Sequence, residues 1–466
     1  MSPTAAESHW EGNQLFEIAL LLLTPITPIG AIGMPVAPLV SAVGEAPAGA
    51  PDPLIAPAVP ANTSAATAAT PISQLTGIAL LDRLNTLPKG ETRSYLGSHP
   101  DVVTALLSNP PTAVSVAEWW AATASDDRST LLGASPRLVG NLEGVPFAMR
   151  DVANRVALVQ ASDAISERLA GHVGRAERDE LTARRHMLEQ IEQALASTDG
   201  HVRRLVNLDP EGEGRAVIAV GDLARADYVS FLVPGMFFGV DAQIAAWTDT
   251  AEDLVVDQEA WLERLHPGEH ATVAAVAWIG YRTPSLVNVA SMELAREGQA
   301  ALTASLQGLR AARGGDQPYL SILAHSYGST AALLSLEEDD VAVDALALVG
   351  SPGSPARTVS ELHVTGGNVW VGAADWDPIP ASGVFGSQPT SVGYGAHRFS
   401  VAPGVDPVTG QSLAGAISHN DYFTSGGSSL RNLALIGIGE GGYVTDANRG
   451  AGDATKALGK VGRPAV

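Results

Sequence analysis

Short apolar runs bounded by turn residues recur through residues 216–445. Five of them have the length and the β-branched content of strands: DYVSFLVPG (227–235), TVAAVAWIG (272–280), YLSILAHS (319–326), DALALVGSPG (344–353) and GNVWVGAAD (367–375). A long amphipathic stretch at 285–313 separates the second run from the third. Continuously apolar strands separated by helices predict an α/β fold, with a mostly parallel sheet covered by helices on both faces.

The pattern changes along the chain and predicts four segments. Residues 1–75 combine an apolar stretch with a Pro- and Ala-rich run that is typical of a linker. Residues 76–215 interleave charged and apolar positions at helical spacing, most clearly at 163–198, so we expect a helical region there. Residues 216–445 hold the predicted sheet, and 446–466 are expected to form a flexible tail.

The uncharged stretch at 18–44 raises the question of a membrane or export segment. Glutamates but no Lys or Arg precede it, and four prolines would break a helix that spans a bilayer. A secretory signal normally begins with basic residues. Membrane association of this stretch is therefore not favoured, no convincing signal peptide is present, and the location of the protein stays open.

Composition excludes several classes of function. The chain has 50 acidic and 28 basic residues and a net charge of −22, which opposes binding to nucleic acid. It has no cysteine, so disulfides, thiolate metal sites and a cysteine nucleophile are ruled out. His172 and His186 lie in the charged helical stretch without a ligand pattern, and we interpret them as solvated residues.

The run YLSILAHSYGSTAALLSL predicts a strand, a tight turn and then a helix. A serine at such a turn lies next to a helix N-terminus, which favours the negative charge that develops when its hydroxyl attacks. Ser326 lies at the centre of the pattern G-x-S-x-G, with Gly328 at one small position and Ala324 in place of glycine at the other. With the usual geometry of this turn, His325 points away from the serine. The alternative interpretation is a serine that only caps the helix.

The VPGM sequence that ends the first run is a candidate for an oxyanion loop. Acyl-transfer enzymes stabilise the oxyanion with two backbone N–H groups, one from the residue after the nucleophile and one from a loop after an upstream strand. Tyr327 and Met236 occupy these positions, and Pro234 and Gly235 would hold the loop close to a substrate. A plain turn is the alternative interpretation.

An acid and a base are expected after the nucleophile, in that order. The DWDP sequence offers Asp375 and Asp377, and the Asp-Pro pair after the strand favours Asp377. Only His397 and His419 follow. His419 lies in the polar loop SHNDYF, as a mobile base should, whereas His397 lies in an alternating, strand-like run. We therefore predict a triad of Ser326, Asp377 and His419, with Asp375 as the alternative acid.

Several stretches together resemble an actinobacterial α/β-hydrolase family catalogued as a domain of unknown function (domain of unknown function 1023, alpha/beta hydrolase family 8). They are LVGNLEGVPFAMRDVANR, VGDLARADYVSFLVPGM, VAWIGYRTP, AHSYGSTAA, VGSPG and SHNDYFTSGGSSLRNLALI, and they extend over roughly residues 120–440. That family usually has G-H-S-Y-G-S at the elbow and G-H-S-x-Y-F at the histidine, so this chain departs from the pattern at Ala324 and around His419.

The resemblance implies an α/β-hydrolase fold, with Ser326 as nucleophile, His419 as base, an acid at Asp377 or Asp375, and an oxyanion loop at 235–236. It implies no substrate.

The main prediction is a serine hydrolase that cuts a carboxylic ester through an acyl-enzyme. The expected partner is a small-molecule or lipid-like acyl substrate, with Tyr281, Arg282 and Phe237 as candidates for the wall of its site. This chemistry requires no cofactor and no metal. Two alternatives stay open: an acyltransferase or peptidase with the same triad, and a non-catalytic envelope or secretion-associated module that keeps the fold.

Overall fold

A computed structural model of the chain describes residues 70–196, 200–285 and 288–447. Every element discussed below lies in one compact unit that begins at Thr76. The apolar stretch at 18–44, and most of the predicted linker and tail, lie outside the described residues. No helix within the described ranges is both long and apolar enough to cross a bilayer.

Helices fill the first part of this unit. They are α1 (Gly77–Thr86), α2 (Lys89–Ser98), α3 (Pro100–Ser108), α4 (Ala113–Ala122), α5 (Ser125–Ala134), α6 (Pro136–Asn141), α7 (Phe147–Ala170) and α8 (Arg175–Leu195). Proline begins α3 and α6, where a missing N–H costs nothing because first-turn N–H groups have no partner inside the helix. At the start of α4, the Thr112 hydroxyl accepts a hydrogen bond from the Ser115 N–H.

An eight-stranded sheet follows, in the order β1-β2-β4-β3-β5-β6-β7-β8. Its strands are β1 (Arg203–Asp209), β2 (Arg215–Val220), β3 (Tyr228–Val233), β4 (Val273–Ile279), β5 (Tyr319–His325), β6 (Ala345–Val349), β7 (Val369–Gly372) and β8 (His397–Arg398). Strands β3 to β8 run parallel to one another, while β1 and β2 are antiparallel to their neighbours. The five apolar runs are β3 to β7, so the predicted α/β fold with a mostly parallel sheet is confirmed.

Strand β1 lies inside the range that we expected to be helical. Seven residues separate its sequence RRLVNLD from the end of the charged helix α8, and its apolar content is too short to identify a strand by pattern alone. The signal that distinguishes it is the turn after it, where Gly212 and Gly214 both adopt positive φ and let the chain reverse into β2.

Helices cover both faces of the sheet. They are α9 (Val240–Leu265), α10 (Glu293–Arg313), α11 (Ser326–Leu336) and α13 (Ser428–Gly437), with the short α12 (Ile379–Ser382) in a loop. Side chains alternate along β4, so Ala275 and Ala277 share a buried cluster with α9 and α13, while the Trp278 indole donates to the Ser305 hydroxyl on α10. A separate two-stranded ribbon joins β9 (Gly404–Val405) and β10 (Ser412–Leu413).

The helical region is bonded to the sheet through β1. The Asn154 amide on α7 donates to the Leu205 carbonyl at 3.0 Å, and the Asp151 carboxylate accepts the Leu205 N–H at 2.8 Å. Asn141 exchanges two hydrogen bonds with the main chain of Leu208. These buried and half-buried polar side chains satisfy one edge of the sheet that would otherwise be left open.

Candidate active site

Ser326 lies at a sharp turn where strand β5 ends and helix α11 begins. Its φ is +52°, in the left-handed region that non-glycine residues rarely adopt. A Cβ at Gly328 would lie 2.2 Å from the Pro234 carbonyl oxygen, so only glycine fits there. Ala324 is fully buried on β5 between Val233 of β3 and Leu348 of β6, where its methyl group is accommodated. The turn therefore has the geometry of a nucleophile elbow.

The imidazole of His419 lies between Ser326 and Asp377. Its Nε2 is 2.7 Å from the Ser326 Oγ, and its Nδ1 is 2.8 Å from Oδ2 of Asp377. Because the carboxylate can only accept, Nδ1 carries the proton and Nε2 is free to accept the serine hydroxyl. The loop around the base is held by the Asp421 carboxylate, which accepts the N–H groups of Ile417 and Ser418 at 3.0 and 2.7 Å.

The two candidate acids lie in different surroundings. The Asp377 side chain has no exposed surface, and its carboxylate accepts from His419 and, through Oδ1, from the Ile379 N–H at 3.0 Å. Burial raises the pKa of Asp377, but the hydrogen bonds from His419 and Tyr422 lower it by more, so its pKa lies below the ordinary value. Asp375 is exposed. The structure thus brings Asp377, and not Asp375, to the imidazole.

Tyr422 completes this arrangement, and the sequence reasoning missed it. Its hydroxyl donates to Oδ2 of Asp377 at 2.6 Å and accepts the Ala374 N–H at 2.9 Å. The ring is fully buried, and burial together with the charge of Asp377 raises the pKa of the phenol. Tyr422 therefore ties the loop that carries His419 to the loop that carries the acid. Its only sequence signal was an aromatic residue three positions after the histidine.

His325 was expected to point away from the serine, and its ring reaches the main chain of His419. Its Nε2 is 2.7 Å from the His419 carbonyl oxygen, so this nitrogen must donate. Burial and the neighbouring His419 lower the pKa of His325 to about 3, which keeps the imidazole neutral. Its ring centroid is 4.7 Å from that of His419 and 6.3 Å from that of Phe423.

Gly350 packs directly against the base at the carboxyl end of β6. Its φ is +61°, and a Cβ there would lie 2.9 Å from Cε1 of His419 and 3.0 Å from a Tyr422 ring carbon. No larger residue fits without displacing the imidazole. This close approach is the physical reason for the first glycine of the VGSPG sequence.

The predicted oxyanion loop follows β3 and lies against the elbow. A Cβ at Gly235 would lie 2.5 Å from the Ser326 Cβ, so the two backbones are in direct contact. The Phe237 N–H donates to the Pro284 carbonyl at 3.1 Å. In the described part of the chain, the Met236 N–H has no hydrogen-bond acceptor. Tyr327 lies in the first turn of α11, where an N–H has no partner inside the helix.

Residues predicted for the substrate wall lie in different places. Tyr281 is 1% exposed, and its hydroxyl donates to the Pro234 carbonyl at 2.9 Å, so it supports the predicted oxyanion loop and offers no surface to a substrate. Arg282 forms an exposed ion pair with Glu297 at 2.9 Å. Phe237 is 38% exposed beside Met236. His397 lies on the edge strand β8, with its ring 4.8 Å from Trp370.

Within the described ranges, no group of three or more His, Cys, Asp or Glu side chains could hold a metal ion.

Residues 209–386 match a family model described as alpha/beta hydrolase. The resemblance that the sequence motifs predicted is therefore confirmed, and the fold is that of an α/β hydrolase. The matched range contains Ser326 and Asp377 and ends before His419.

Among curated proteins, the chain is similar to uncharacterized protein Rv2079 of Mycobacterium tuberculosis (strain ATCC 25618 / H37Rv), with 26% identity over 377 residues. The uncharacterized protein MT2140 of strain CDC 1551 / Oshkosh matches equally. The alignments cover 71% of this chain and 56% of each relative, so the chain spans about half the length of the curated relatives it matches.

The similarity to solved structures is weak, as two examples illustrate. Carboxyl esterase 2 from the mycorrhizal fungus Tuber melanosporum has 13% identity and a TM-score of 0.32, covering 53% of this chain and 89% of that chain. An esterase/lipase from an uncultured bacterium has 10% identity and a TM-score of 0.31, covering 60% of this chain and 96% of that chain.

Proposed function

We propose that the protein is a serine hydrolase that cleaves carboxylic esters through a triad of Ser326, His419 and Asp377. One observation carries the proposal: a continuous path of hydrogen bonds joins the Ser326 hydroxyl to Nε2 of His419 and Nδ1 of His419 to the buried Asp377 carboxylate, at 2.7 and 2.8 Å. A capping serine would need neither partner. The positive φ of Ser326 also supports the proposal, because backbone strain of this kind is retained at functional sites.

In the acylation step, the Ser326 Oγ attacks the ester carbonyl carbon while its proton moves to Nε2 of His419. The carbonyl π electrons pass to oxygen, and the N–H groups of Met236 and Tyr327 stabilise that oxyanion. The tetrahedral intermediate collapses, the C–O bond to the alcohol breaks, and His419 returns the proton to the departing alkoxide. Water then attacks the acyl-enzyme with the same proton transfers and releases the carboxylic acid and free Ser326.

The surroundings of the triad suit this chemistry. Asp377 is held as a carboxylate by its hydrogen bonds, so it favours the imidazolium that forms in each transition state. Tyr422 and His325 fix the acid and the main chain of the base before any substrate binds. Removal of a positioned oxyanion donor or of the base typically costs several kcal/mol of transition-state stabilisation, which is why such preorganisation matters.

A fluorophosphonate probe, which reacts with activated serines, tests the proposal. We expect covalent labelling of the wild type and none of Ser326→Ala. Ser335→Ala is a matched control, because Ser335 lies on the same helix and its hydroxyl bonds only to Thr303 at 2.8 Å. Labelling that persists in Ser326→Ala, or a wild type that neither labels nor turns over any p-nitrophenyl ester, would refute the proposal. Parallel assays with anilides and with alcohol acceptors distinguish an esterase from a peptidase or an acyltransferase.

A further inference from the structure

Three large apolar side chains exposed to solvent lie on the loops that carry the predicted site residues. Phe237 directly follows Met236, Trp376 directly precedes Asp377, and Ile417 stands in the loop of the base. Their exposed fractions are 38%, 78% and 64%. Every other exposed large hydrophobic residue in the described part of the chain is a valine. Each of these exposed phenylalanine, tryptophan and isoleucine residues therefore stands within two residues of a predicted site residue. Exposed apolar side chains that gather at one place mark a binding surface.

Phe237 has a second unusual property. Its φ is +60°, and Ser326 is the only other described residue besides glycines with a positive φ. The hydrogen bond from its N–H to the Pro284 carbonyl, at 3.1 Å, holds this conformation. A bulky residue in the left-handed region is strained, and surroundings that over-determine such strain are typical of functional sites. This strained residue directly follows Met236, whose N–H would hold the oxyanion.

The position of the ester carbonyl determines what these side chains can contact. The carbonyl carbon of the ester must lie at the Ser326 Oγ, and the carbonyl oxygen must face the N–H groups of Met236 and Tyr327. The acyl chain then extends from the serine over the surrounding loops. The loops also carry the carboxylates of Asp375 and Asp421, and the whole chain has a net charge of −22. An apolar surface with nearby negative charge favours a neutral, hydrophobic group over an anionic one.

We infer that Phe237, Trp376 and Ile417 form an apolar rim that binds the acyl chain of a neutral ester of medium or long chain length. This inference rests on the proposed function, because it takes Ser326 as the nucleophile. Because the apolar rim is open to solvent, the acyl chain of the substrate lies along the surface of the protein, beside the catalytic serine. Each methylene that the apolar rim covers raises kcat/KM by roughly two- to fourfold.

The kinetic test measures kcat/KM for p-nitrophenyl acetate, butyrate and octanoate, all below the concentrations at which they aggregate. We expect the octanoate-to-acetate ratio to fall at least tenfold in the double variant Trp376→Gln and Ile417→Gln. Val159→Gln is the matched control, since Val159 is 54% exposed on α7, away from the loops of the site, and it should keep the wild-type ratio. An unchanged ratio in the double variant overturns the inference while leaving the proposed hydrolase intact.

A binding measurement distinguishes failure of the apolar rim from failure of the catalytic proposal. Calorimetric titration of Ser326→Ala with ethyl octanoate needs no turnover, and ethyl acetate is the short-chain comparison. We expect octanoate to bind at least tenfold more tightly than acetate, and Trp376→Gln on this background to remove most of that difference. Equal affinities for the two esters, or a preference that Trp376→Gln leaves intact, would overturn the inference whether or not the wild type proves to be a hydrolase.

Discussion

Replacement of His325 by glutamine and by leucine separates the two properties of this buried residue. His325 donates Nε2–H to the His419 carbonyl at 2.7 Å, and its imidazole stays neutral because its pKa is lowered to about 3. Glutamine keeps an N–H donor at the end of a side chain of similar length but does not titrate. Leucine keeps the bulk and loses the donor. The pair therefore tests the hydrogen bond and the buried neutral ring independently.

The lost hydrogen bond has an expected effect on activity. Loss of the donor leaves the His419 carbonyl without a hydrogen bond, at a cost of about 1–3 kcal/mol. The loop of His419 can lower this cost by moving toward water, and the imidazole then moves with it. If that movement displaces His419 from Ser326, His325→Leu loses roughly 10- to 100-fold in kcat/KM while His325→Gln stays within a few-fold of wild type. The ratio of wild-type to His325→Leu activity should be constant from pH 5 to 8, because His325 does not titrate there.

Acid stability gives an independent readout of the neutral ring. The unfolded chain takes up a proton on His325 near its ordinary pKa of 6.5, while the folded protein does so only near pH 3, so stability falls as the pH drops below about 6.5. Between pH 8 and pH 5 this one residue costs the wild type about 2 kcal/mol. His325→Gln should lack that loss in urea unfolding at the two pH values.

Two results would refute this reasoning. If His325→Gln is as inactive as His325→Leu, the hydrogen bond to the main chain of the base is not what positions it. If wild type and His325→Gln lose stability equally between pH 8 and pH 5, the ring is not buried in the neutral form.

Three further predictions follow from the geometry. Asp377→Asn should lower kcat/KM for p-nitrophenyl butyrate on the order of 10³- to 10⁴-fold, whereas a loss of that size in Asp375→Asn with little loss in Asp377→Asn would instead favour the exposed acid. Gly350→Ala places a methyl group 2.9 Å from Cε1 of His419, at a residue whose φ is +61°. The kcat should therefore fall more than about tenfold with little change in KM, and a wild-type kcat would contradict the close contact. Burial and the carboxylate of Asp253, one turn earlier, raise the pKa of Asp257 to about 6, so its ionised form destabilises the fold above that pH. Asp257→Asn should therefore stabilise the fold by up to about 3 kcal/mol at pH 8 and far less at pH 4. Equal shifts of the urea midpoint at the two pH values would disprove this.

Strands β3 to β7 could be predicted from the sequence because parallel strands are buried on both faces, so their apolar runs are continuous and stand out. Strand β1 could not, because its three buried residues do not form a continuous apolar run. Ser326, Asp377 and His419 could be proposed together because the first two follow predicted strands and the third lies in a polar loop later in the chain. The supporting roles of His325 and Tyr422 could not be proposed, since they depend on which loops meet in space.

Tyr281 shows a related limit. An aromatic residue at the end of a strand can face either the site or the core, and the sequence pattern is identical in the two cases. Here its ring packs over Trp278, with ring centroids 5.6 Å apart, and its hydroxyl reaches back to Pro234. Only the direction of the side chain separates a substrate wall from a support of the oxyanion loop.

The loop of His419 is held by groups at the ends of three neighbouring parallel strands. His325 ends β5, Gly350 follows β6, and Ala374, which bonds to Tyr422, follows β7. These strand ends are level because His325 pairs with Val349 and Val349 with Gly372. A one-residue slip in either pairing would move one support by about 3.3 Å and remove the base from the serine. Under the proposed function, the reactivity of Ser326 thus reports the alignment of these strands, and its recovery during refolding would show when they pair.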